Sequence, residues 1–185
     1  MNGTLFSDTQ LKVIYGLMSE TLNLTQSKLS SDSNKSCTSM AIIIVKNERK
    51  LKVTSALANT TRSPLNHAVM VAINNVAKMQ KNSKNIALDS DLMYFENDYL
   101  CTNYECFLSQ EPCIMCAMAL VHSRIKRVFF YSDSNRLEYP ECNDQAYQTH
   151  KLHVLDNLNH HYEVWKLSPV YLAEEKLPNK RIKTS

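Results

Sequence analysis

The amino-acid sequence predicts an α/β fold in three layers, α/β/α, with a mixed central sheet. Two observations favour this fold class. Apolar residues recur at helical spacing in three segments, and short runs rich in β-branched or aromatic residues lie between those segments. The predicted order is helix, strand pair, helix, strand, helix, strand. A hairpin followed by alternating strands and helices predicts a sheet with both strand directions, covered by helices.

The N-terminal segment predicts an amphipathic helix. Ser7 and Gln10 have the spacing of a capping box. The apolar residues that follow fall on one helical stripe: Leu11, Ile14, Tyr15, Met18 and Leu22. A Ser/Asn-rich connector comes next. We therefore divide the chain into an N-terminal helix and connector (1–39), one main domain (40–170) and a basic, mobile tail (171–185).

The main domain begins with two predicted strands joined at the polar turn Lys46–Arg49. A second helix is predicted from residue 63, with Ser63 as its cap, Pro64 in its first turn, and Val69 on its buried stripe. A strand, a third helix opening at Pro112 and another strand follow. The segment "HYEVWKL" fits either a final strand or a helix start.

Composition excludes several function classes. The chain has 185 residues, 44% of them hydrophobic, and a net charge of +3, which permits nucleic-acid contact without arguing for it. Only two glycines are present, Gly3 and Gly16, so no glycine-rich phosphate loop is available. The sequence shows no secretory signal and no apolar run of about 20 residues, and we expect an intracellular protein that does not span a membrane. Its six cysteines are therefore interpreted as thiols or metal ligands.

Three residues predict a zinc site. Cys113 and Cys116 are one turn apart at the start of the third helix, and His67 lies near the start of the second. Helix starts favour the thiolate that zinc requires. Two thiolates and one imidazole leave a tetrahedral ion one open position, as in catalytic sites. Two alternatives remain: small core residues without a metal, or a closed site in which Cys101 and Cys106 join the two cysteines.

These motifs resemble the zinc nucleoside and nucleobase deaminases, which carry H-x-E followed by P-C-x-x-C. Here "HAV" stands in place of "HAE", and "EPCIMCAMALVHSRIKRV" is similar to the second zinc motif of tRNA adenosine deaminases. "PLNHAVM" and "LNHHYEV" resemble the non-catalytic subunits of eukaryotic heterodimeric tRNA-specific adenosine deaminases. The resemblance implies a cytidine-deaminase-like fold for the main domain, with zinc on His67, Cys113 and Cys116 and a water or another group as the fourth ligand.

The resemblance also implies partners. These are a catalytic deaminase subunit, forming a heterodimer, and the anticodon arm of tRNA, whose wobble adenosine becomes inosine, in the nucleus and cytoplasm. Such subunits in many eukaryotes carry a long N-terminal region implicated in holding tRNA. About 40 residues precede the first strand here, so we expect either a reduced region or an incomplete chain.

Val69 occupies the position of the proton-shuttling glutamate in this resemblance. Deamination by water requires protons to move between three atoms, and a positioned acid/base contributes about 10² to 10⁴ in rate. A hydrocarbon side chain cannot carry a proton, so we expect no catalytic residue here and a zinc-binding subunit inactive alone. Two other hypotheses stay open: a structural zinc module, or an active deaminase with another shuttle, for which the acids in question are Glu111, Glu96 and Asp98. Glu111 is expected to be a helix-start acid.

Several basic and aromatic residues are candidates for RNA contacts. Their usual role is a solvated face or a closed core, and phosphate contact or base stacking is the functional alternative. The basic residues are Arg124, Lys126 and Arg127, with Lys176, Lys180, Arg181 and Lys183 in the tail; the aromatic residues are Tyr94, Phe95, Tyr99 and Tyr104. The spacing of His150, His153, His160 and His161 is irregular and favours packing over metal binding.

Overall fold

In a computed structural model of the protein, the described residues are 6–31, 41–46, 51–58, 63–83, 99–131, 146–167 and 180–181. The helices are α1 (Asp8–Ser31), α2 (Ala68–Ser83) and α3 (Ile114–His122). The strands are β1 (Ala41–Lys46), β2 (Leu51–Leu57), β3 (Tyr104–Leu108), β4 (Arg127–Tyr131), β5 (Glu163–Leu167) and β6 (Lys180–Arg181).

The strands form one mixed sheet in the order β2-β1-β3-β4-β5-β6. The hairpin strands β1 and β2 are antiparallel, and β1 is also antiparallel to β3. Strand β4 pairs in parallel with β3 and with β5, and β6 pairs antiparallel to β5. Helix α3 connects β3 to β4, because parallel neighbours need a crossover. The predicted mixed sheet is confirmed, and "HYEVWKL" supplies a strand.

Both faces of the sheet are covered by helices. Successive side chains of the central strands point to opposite faces, and they are buried on both. In β3, Cys106 and Leu108 join the core under α2 and α3, whereas Phe107 joins the core under α1. In β4, Phe130 and Phe129 divide in the same way. A strand covered on both faces reads as a continuous apolar run. The three-layer α/β/α prediction is therefore confirmed.

Helix α1 alone covers one face among the described residues. Its predicted capping box is present: the Ser7 amide donates to Oε1 of Gln10 over 2.9 Å, and the Gln10 amide donates to Oγ of Ser7 over 3.3 Å. The predicted stripe faces the sheet, with Leu11, Ile14 and Met18 buried against Phe107, Phe129 and Trp165. The ring of Phe107 stacks on that of Phe129 at 4.8 Å.

Helix α2 begins at Ala68, four residues later than the sequence predicts. Residues 63–66 form a turn in which the Asn66 amide donates to the Ser63 carbonyl over 3.0 Å, and the helix begins at Ala68. The predicted Ser63 cap and Pro64 helix start are therefore wrong, because the Ser63 carbonyl accepts a turn hydrogen bond and the helical hydrogen bonds begin at the His67 carbonyl. Helix α3 likewise begins at Ile114 rather than Pro112. Both shifts place predicted metal ligands directly at helix starts.

The remaining segments add little to the layers. Lys180 and Arg181 form β6, so these two tail residues belong to the sheet, whereas the rest of 168–185 lies outside the described residues. The same holds for residues 47–49 of the predicted turn Lys46–Arg49 and for residues 32–39 of the connector. No helix among the described residues has the length and apolarity needed to cross a bilayer.

The packing of α1 predicts the effect of truncating its buried methionine. Met18 is fully buried against the sheet, so Met18→Ala should lower the free energy of unfolding by about 2–5 kcal/mol. Lys12→Ala, on the exposed side of the same helix, should change it by about 0.5 kcal/mol or less. Urea unfolding of the full chain measures both. Equal, small effects would mean that α1 does not pack on this face.

Candidate metal centre

The three predicted ligands come together in the structure. Sγ of Cys113 lies 3.6 Å from Nδ1 of His67, and Sγ of Cys116 lies 3.5 Å from the same nitrogen. All three donor atoms lie within 4.8 Å of one another. Zinc–sulfur and zinc–nitrogen distances of about 2.3 and 2.0–2.1 Å give a tetrahedral edge of about 3.6 Å between nitrogen and sulfur. The donors therefore have the spacing of a tetrahedral zinc site.

Two helix starts place these side chains. Cys113 is the N-cap of α3, with extended backbone (φ −71°, ψ 167°), and its carbonyl accepts the Ala117 amide over 3.0 Å. His67 directly precedes α2, and its carbonyl accepts the Val71 amide over 3.0 Å. Each residue thus begins its helix. The free amides and positive dipole ends of both helices lie at the site, where they stabilise thiolates.

The two sulfur atoms are electrostatically distinct. The pKa of Cys113 is lowered to about 5, chiefly because the Cys116 thiol donates a hydrogen bond to the thiolate. The Cys116 amide and His67 act in the same direction, and burial opposes them. The pKa of Cys116 is raised, because its proton is held by Cys113 and because the side chain is buried. One sulfur is thus a thiolate near neutral pH, and a divalent cation would replace the shared proton.

The closed four-cysteine alternative is wrong for the described residues. Only His67, Cys113 and Cys116 cluster among their His, Cys, Asp and Glu side chains. Cys101 precedes β3 and Cys113 follows it, so a strand of five residues, about 17 Å long, separates them. Burial raises the pKa of Cys101 to about 11 and also raises the pKa of Cys106. Both are neutral, buried thiols. Cys37 and Cys142 lie outside the described residues.

Val69 lies in the first turn of α2, two residues after His67, and its side chain is fully buried. It belongs to the same apolar cluster as Cys116 and Ala72, with Cys113 packed against that cluster. The predicted buried stripe of this helix is confirmed at Val69, Ala72 and Val76. The side chain two residues after His67 is therefore a hydrocarbon in an apolar environment.

Glu111 is engaged in structure rather than left facing the donors. Its Oε1 accepts the amides of Tyr147 and Gln148, each over 2.8 Å, and its Oε2 accepts the side-chain amide of Gln148. Glu111 therefore fastens residues 146–148 to the loop before Cys113. Sequence reasoning missed this role, because nothing local to Glu111 indicates donors 36 residues away. The other two candidate shuttles, Glu96 and Asp98, lie outside the described residues.

Two tyrosines continue this support, and no local pattern indicates either of them. The hydroxyl groups of Tyr147 and Tyr162 are 3.0 Å apart, and the Tyr162 hydroxyl donates to the Ala117 carbonyl over 3.1 Å. The Ala146 amide donates to the Pro112 carbonyl over 3.3 Å. The loop before Cys113 and the first turns of α3 are thus held from the C-terminal half of the chain.

The basic residues that are candidates for RNA contact differ in their surroundings: some are paired with carboxylates and others are exposed. The guanidinium of Arg127 donates to Glu105 over 3.0 Å and to Glu163 over 2.9 Å, and it lies over the ring of Phe6 at 5.5 Å. Arg127 therefore joins three parallel strands rather than standing free in solvent. Arg124 is exposed. Of the tail residues, the structure describes only the backbone of Lys180 and Arg181.

The aromatic and histidine candidates also divide. Tyr104 is fully buried, whereas Tyr99 is 68% exposed, and Tyr94 and Phe95 lie outside the described residues. The packing interpretation of the histidines is confirmed at His153 and His160, whereas His161 is exposed. His153 packs edge-on against Tyr147, His160 bonds the Ile125 carbonyl over 2.7 Å, and His161 bonds the Leu155 carbonyl over 3.0 Å.

Comparison with known proteins places this site in a family context. The sequence of residues 17–132 matches the protein-family model of the cytidine and deoxycytidylate deaminase zinc-binding region. The chain is 37% identical over 127 residues to the probable inactive tRNA-specific adenosine deaminase-like protein 3 of Danio rerio, covering 60% of this chain and 35% of that protein. It is 41% identical over 73 residues to the tRNA-specific adenosine deaminase subunit TAD3 of Saccharomyces cerevisiae, covering 40% of this chain and 20% of that one.

A solved structure shows the same fold. It comes from a study of A-to-I editing by tRNA:A34 deaminases at the wobble position of transfer RNA, and the TM-score is 0.56 at 17% identity. The match covers 82% of this chain and 97% of that chain. At this identity the likeness concerns the fold alone. The chain spans only about a third or less of the two related sequences above.

The contacts of Glu111 predict different effects for two substitutions. Glu111→Ala removes the acceptor for the amides of Tyr147 and Gln148, and should lower the free energy of unfolding by about 1–3 kcal/mol. Glu111→Gln retains a carbonyl oxygen at that position and should lose less than half as much. Chemical denaturation of the metal-free chain measures the difference. A glutamine variant as unstable as the alanine variant would refute this role.

Proposed function

Because the chain belongs to the cytidine and deoxycytidylate deaminase family, we propose that it is a zinc-binding, non-catalytic subunit of a tRNA adenosine deaminase. The complex would convert wobble adenosine to inosine through a second subunit that carries the proton-shuttling glutamate. One observation carries this proposal: a donor set with the spacing of a zinc site stands beside Val69, a fully buried hydrocarbon.

The donor set supports zinc in particular. Two thiolates and one imidazole are ligands that zinc prefers, and all three are supplied by helix starts held in place by the core. The ion would be held by Nδ1 of His67 and by Sγ of Cys113 and Cys116. Zinc bound there supplies charge that stabilises both thiolates and ties α2 to α3. This gives the ion a structural role that does not depend on turnover.

The absence of a proton carrier among nearby described side chains supports a non-catalytic role. Val69 cannot bind or release a proton. Glu111, the acid closest in sequence to the cysteines, already accepts three hydrogen bonds from Tyr147 and Gln148. If the Glu111 carboxylate took up a proton from water, it could no longer accept all of the hydrogen bonds from Tyr147 and Gln148. The site can therefore hold a metal without moving protons.

The partner and the RNA are inferred from the relatives and from the surface. The related proteins are named as tRNA-specific adenosine deaminase subunits or inactive deaminase-like proteins. Leu65, 64% exposed, and Met70, 37% exposed, lie on either side of His67 in the sequence. A second deaminase subunit covering the start of α2 and the turn before it would remove both apolar side chains from water.

Zinc content tests the ligand assignment. The purified full chain should contain about one zinc per molecule, and His67→Ala, Cys113→Ser and Cys116→Ser should each lose most of it, because three protein ligands leave no spare donor. Cys106→Ala is the matched control, since it removes a buried thiol outside the cluster. Elemental analysis with chelator competition measures retention. Equal zinc loss in the control, or full retention in the ligand variants, would contradict the assignment.

Restoring a carboxylate tests the role of Val69. The assay uses a complex of this chain, tRNA and an active subunit whose own proton-shuttling glutamate has been substituted. Single-turnover inosine formation should be at background with the wild-type chain. Val69→Glu should raise it, whereas Val69→Gln, of similar size but unable to carry protons, should not.

Turnover by the wild-type chain in that complex would instead identify an active deaminase with another shuttle. Background rates in all three forms, with zinc retained in each, would mean that Val69 is not the only missing component of this site.

A further inference from the structure

We propose that the protein binds RNA through a cationic surface at the edge of the sheet opposite the metal centre. We call it the far-edge surface and define it by the exposed side chains of Lys81, Tyr99, Leu100, His122 and Arg124. The inference rests on the proposed function, because it assumes that tRNA is the substrate of the complex. It assigns a part of this chain to the RNA backbone.

Hydrogen bonds bring three separate segments together at this edge. The side-chain amide of Gln80, at the end of α2, donates to the Leu100 carbonyl over 2.6 Å. The Cys101 amide donates to the Ser123 carbonyl, at the end of α3, over 2.8 Å. The far-edge surface is therefore built from two helix ends and the turn before β3.

The turn that presents the aromatic ring is itself ordered by hydrogen bonds. The hydroxyl of Thr102 donates to the Tyr99 carbonyl over 2.7 Å, and the Tyr104 amide donates to the Cys101 carbonyl over 3.0 Å. Cys101 is buried beneath the turn. Tyr99 nevertheless remains 68% exposed and Leu100 39% exposed. A rigid turn holding an exposed ring is suited to stacking on a base.

The charge of the surrounding segments complements RNA. Residues 68–83, 99–104 and 112–131 contain no Asp or Glu, and their charged residues are Lys78, Lys81, Arg124, Lys126 and Arg127. Of the neighbouring carboxylates, Glu105 and Glu163 are paired with Arg127, and Glu111 lies at the other end of α3, before Cys113. Asp156 is exposed in the segment whose His160 bonds the Ile125 carbonyl. Asp98, directly before Tyr99, lies outside the described residues. An excess of lysine and arginine over carboxylates favours a polyanion.

Arg124 is the central cation of the far-edge surface. It follows the C-cap of α3 with φ 59°, in the left-handed region where helices usually place glycine. Its amide donates to the Val121 carbonyl and that of Ile125 donates to the Leu120 carbonyl, which closes the helix end. A glycine at this position would remove the guanidinium and fit the same backbone. Loss of RNA binding in that variant could not be attributed to a strained fold.

The far-edge surface is distant from the metal ligands. Helix α3 runs from Ile114, directly after Cys113, to His122 at this edge, and its nine residues rise about 14 Å. RNA bound here would therefore contact the complex away from the nucleotide being edited. It would not compete with any group at the metal centre.

The test uses the full chain assembled with its active deaminase subunit and a fluorescent tRNA transcript that carries a wobble adenosine. Affinity is measured from about 50 to 200 mM KCl. Arg124→Gly should weaken binding several-fold and reduce the slope of log K against log[salt] by about 1. Tyr99→Ala should weaken binding about five-fold or more with little change in slope. Lys12→Ala removes an exposed cation from α1, on the opposite face of the sheet from α2 and α3. It should change neither the affinity nor the slope.

Each outcome decides the proposal. Wild-type affinity in both variants overturns it while leaving the proposed function intact. An equal effect of Lys12→Ala shows that only net charge matters and also overturns it. The variants could instead assemble poorly with the active subunit, while the complex that does form binds tRNA with unchanged affinity. That result would identify the far-edge surface as a protein contact and would also overturn the proposal. If the wild-type complex neither forms nor binds tRNA, the proposed function fails together with this inference.

Discussion

Two helix starts meet at one edge of the sheet, and every side chain that can hold the metal depends on that meeting. Parallel pairing of β3 with β4 requires the α3 crossover, which begins at Cys113. Helix α2 packs on the same face and begins directly after His67. Nδ1 of His67 thereby lies about equally far from both sulfur atoms. Any change that separates α2 from α3 would disperse the donors.

Electrostatics and packing act in different directions at this edge. The hydrogen bond from the Cys116 thiol lowers the pKa of Cys113, and the same hydrogen bond, together with burial, raises the pKa of Cys116. Directly beside them, Val69 contributes only apolar surface. The three predicted ligands are thus polar or charged, whereas the side chain two residues after His67 is a buried hydrocarbon. This arrangement is compatible with the proposed role, in which the chain binds zinc and acts through a separate catalytic subunit.

Local sequence patterns predict much of this arrangement, because their physical causes are local. The capping box of Ser7 and Gln10 and the buried stripe of α1 involve residues within a few turns of one another. The metal triad can also be predicted, because cysteines one turn apart and a histidine near a helix start match the spacing of zinc ligands. The predicted start of α2 is wrong, because a turn over residues 63–66 satisfies backbone groups that the pattern assigns to a helix.

Contacts between distant segments could not be predicted in this way. Glu111 bonds a segment 36 residues away, and Arg127 joins Glu105 and Glu163 only because three strands align in register. The solvent exposure of individual side chains could not be predicted either. Arg124 and Arg127 are three residues apart in one basic run, yet only Arg124 is exposed. Sheet register and helix ends, rather than composition, determine which cations are available to a ligand.

The most direct measurement is single-turnover inosine formation by the zinc-loaded full chain, purified free of any other deaminase, on a tRNA with adenosine at the wobble position. We expect no product above the rate without protein, and product once an active deaminase subunit is added. Efficient conversion by this chain alone would contradict a non-catalytic role, because a site with valine next to its metal ligands would then be moving protons after all.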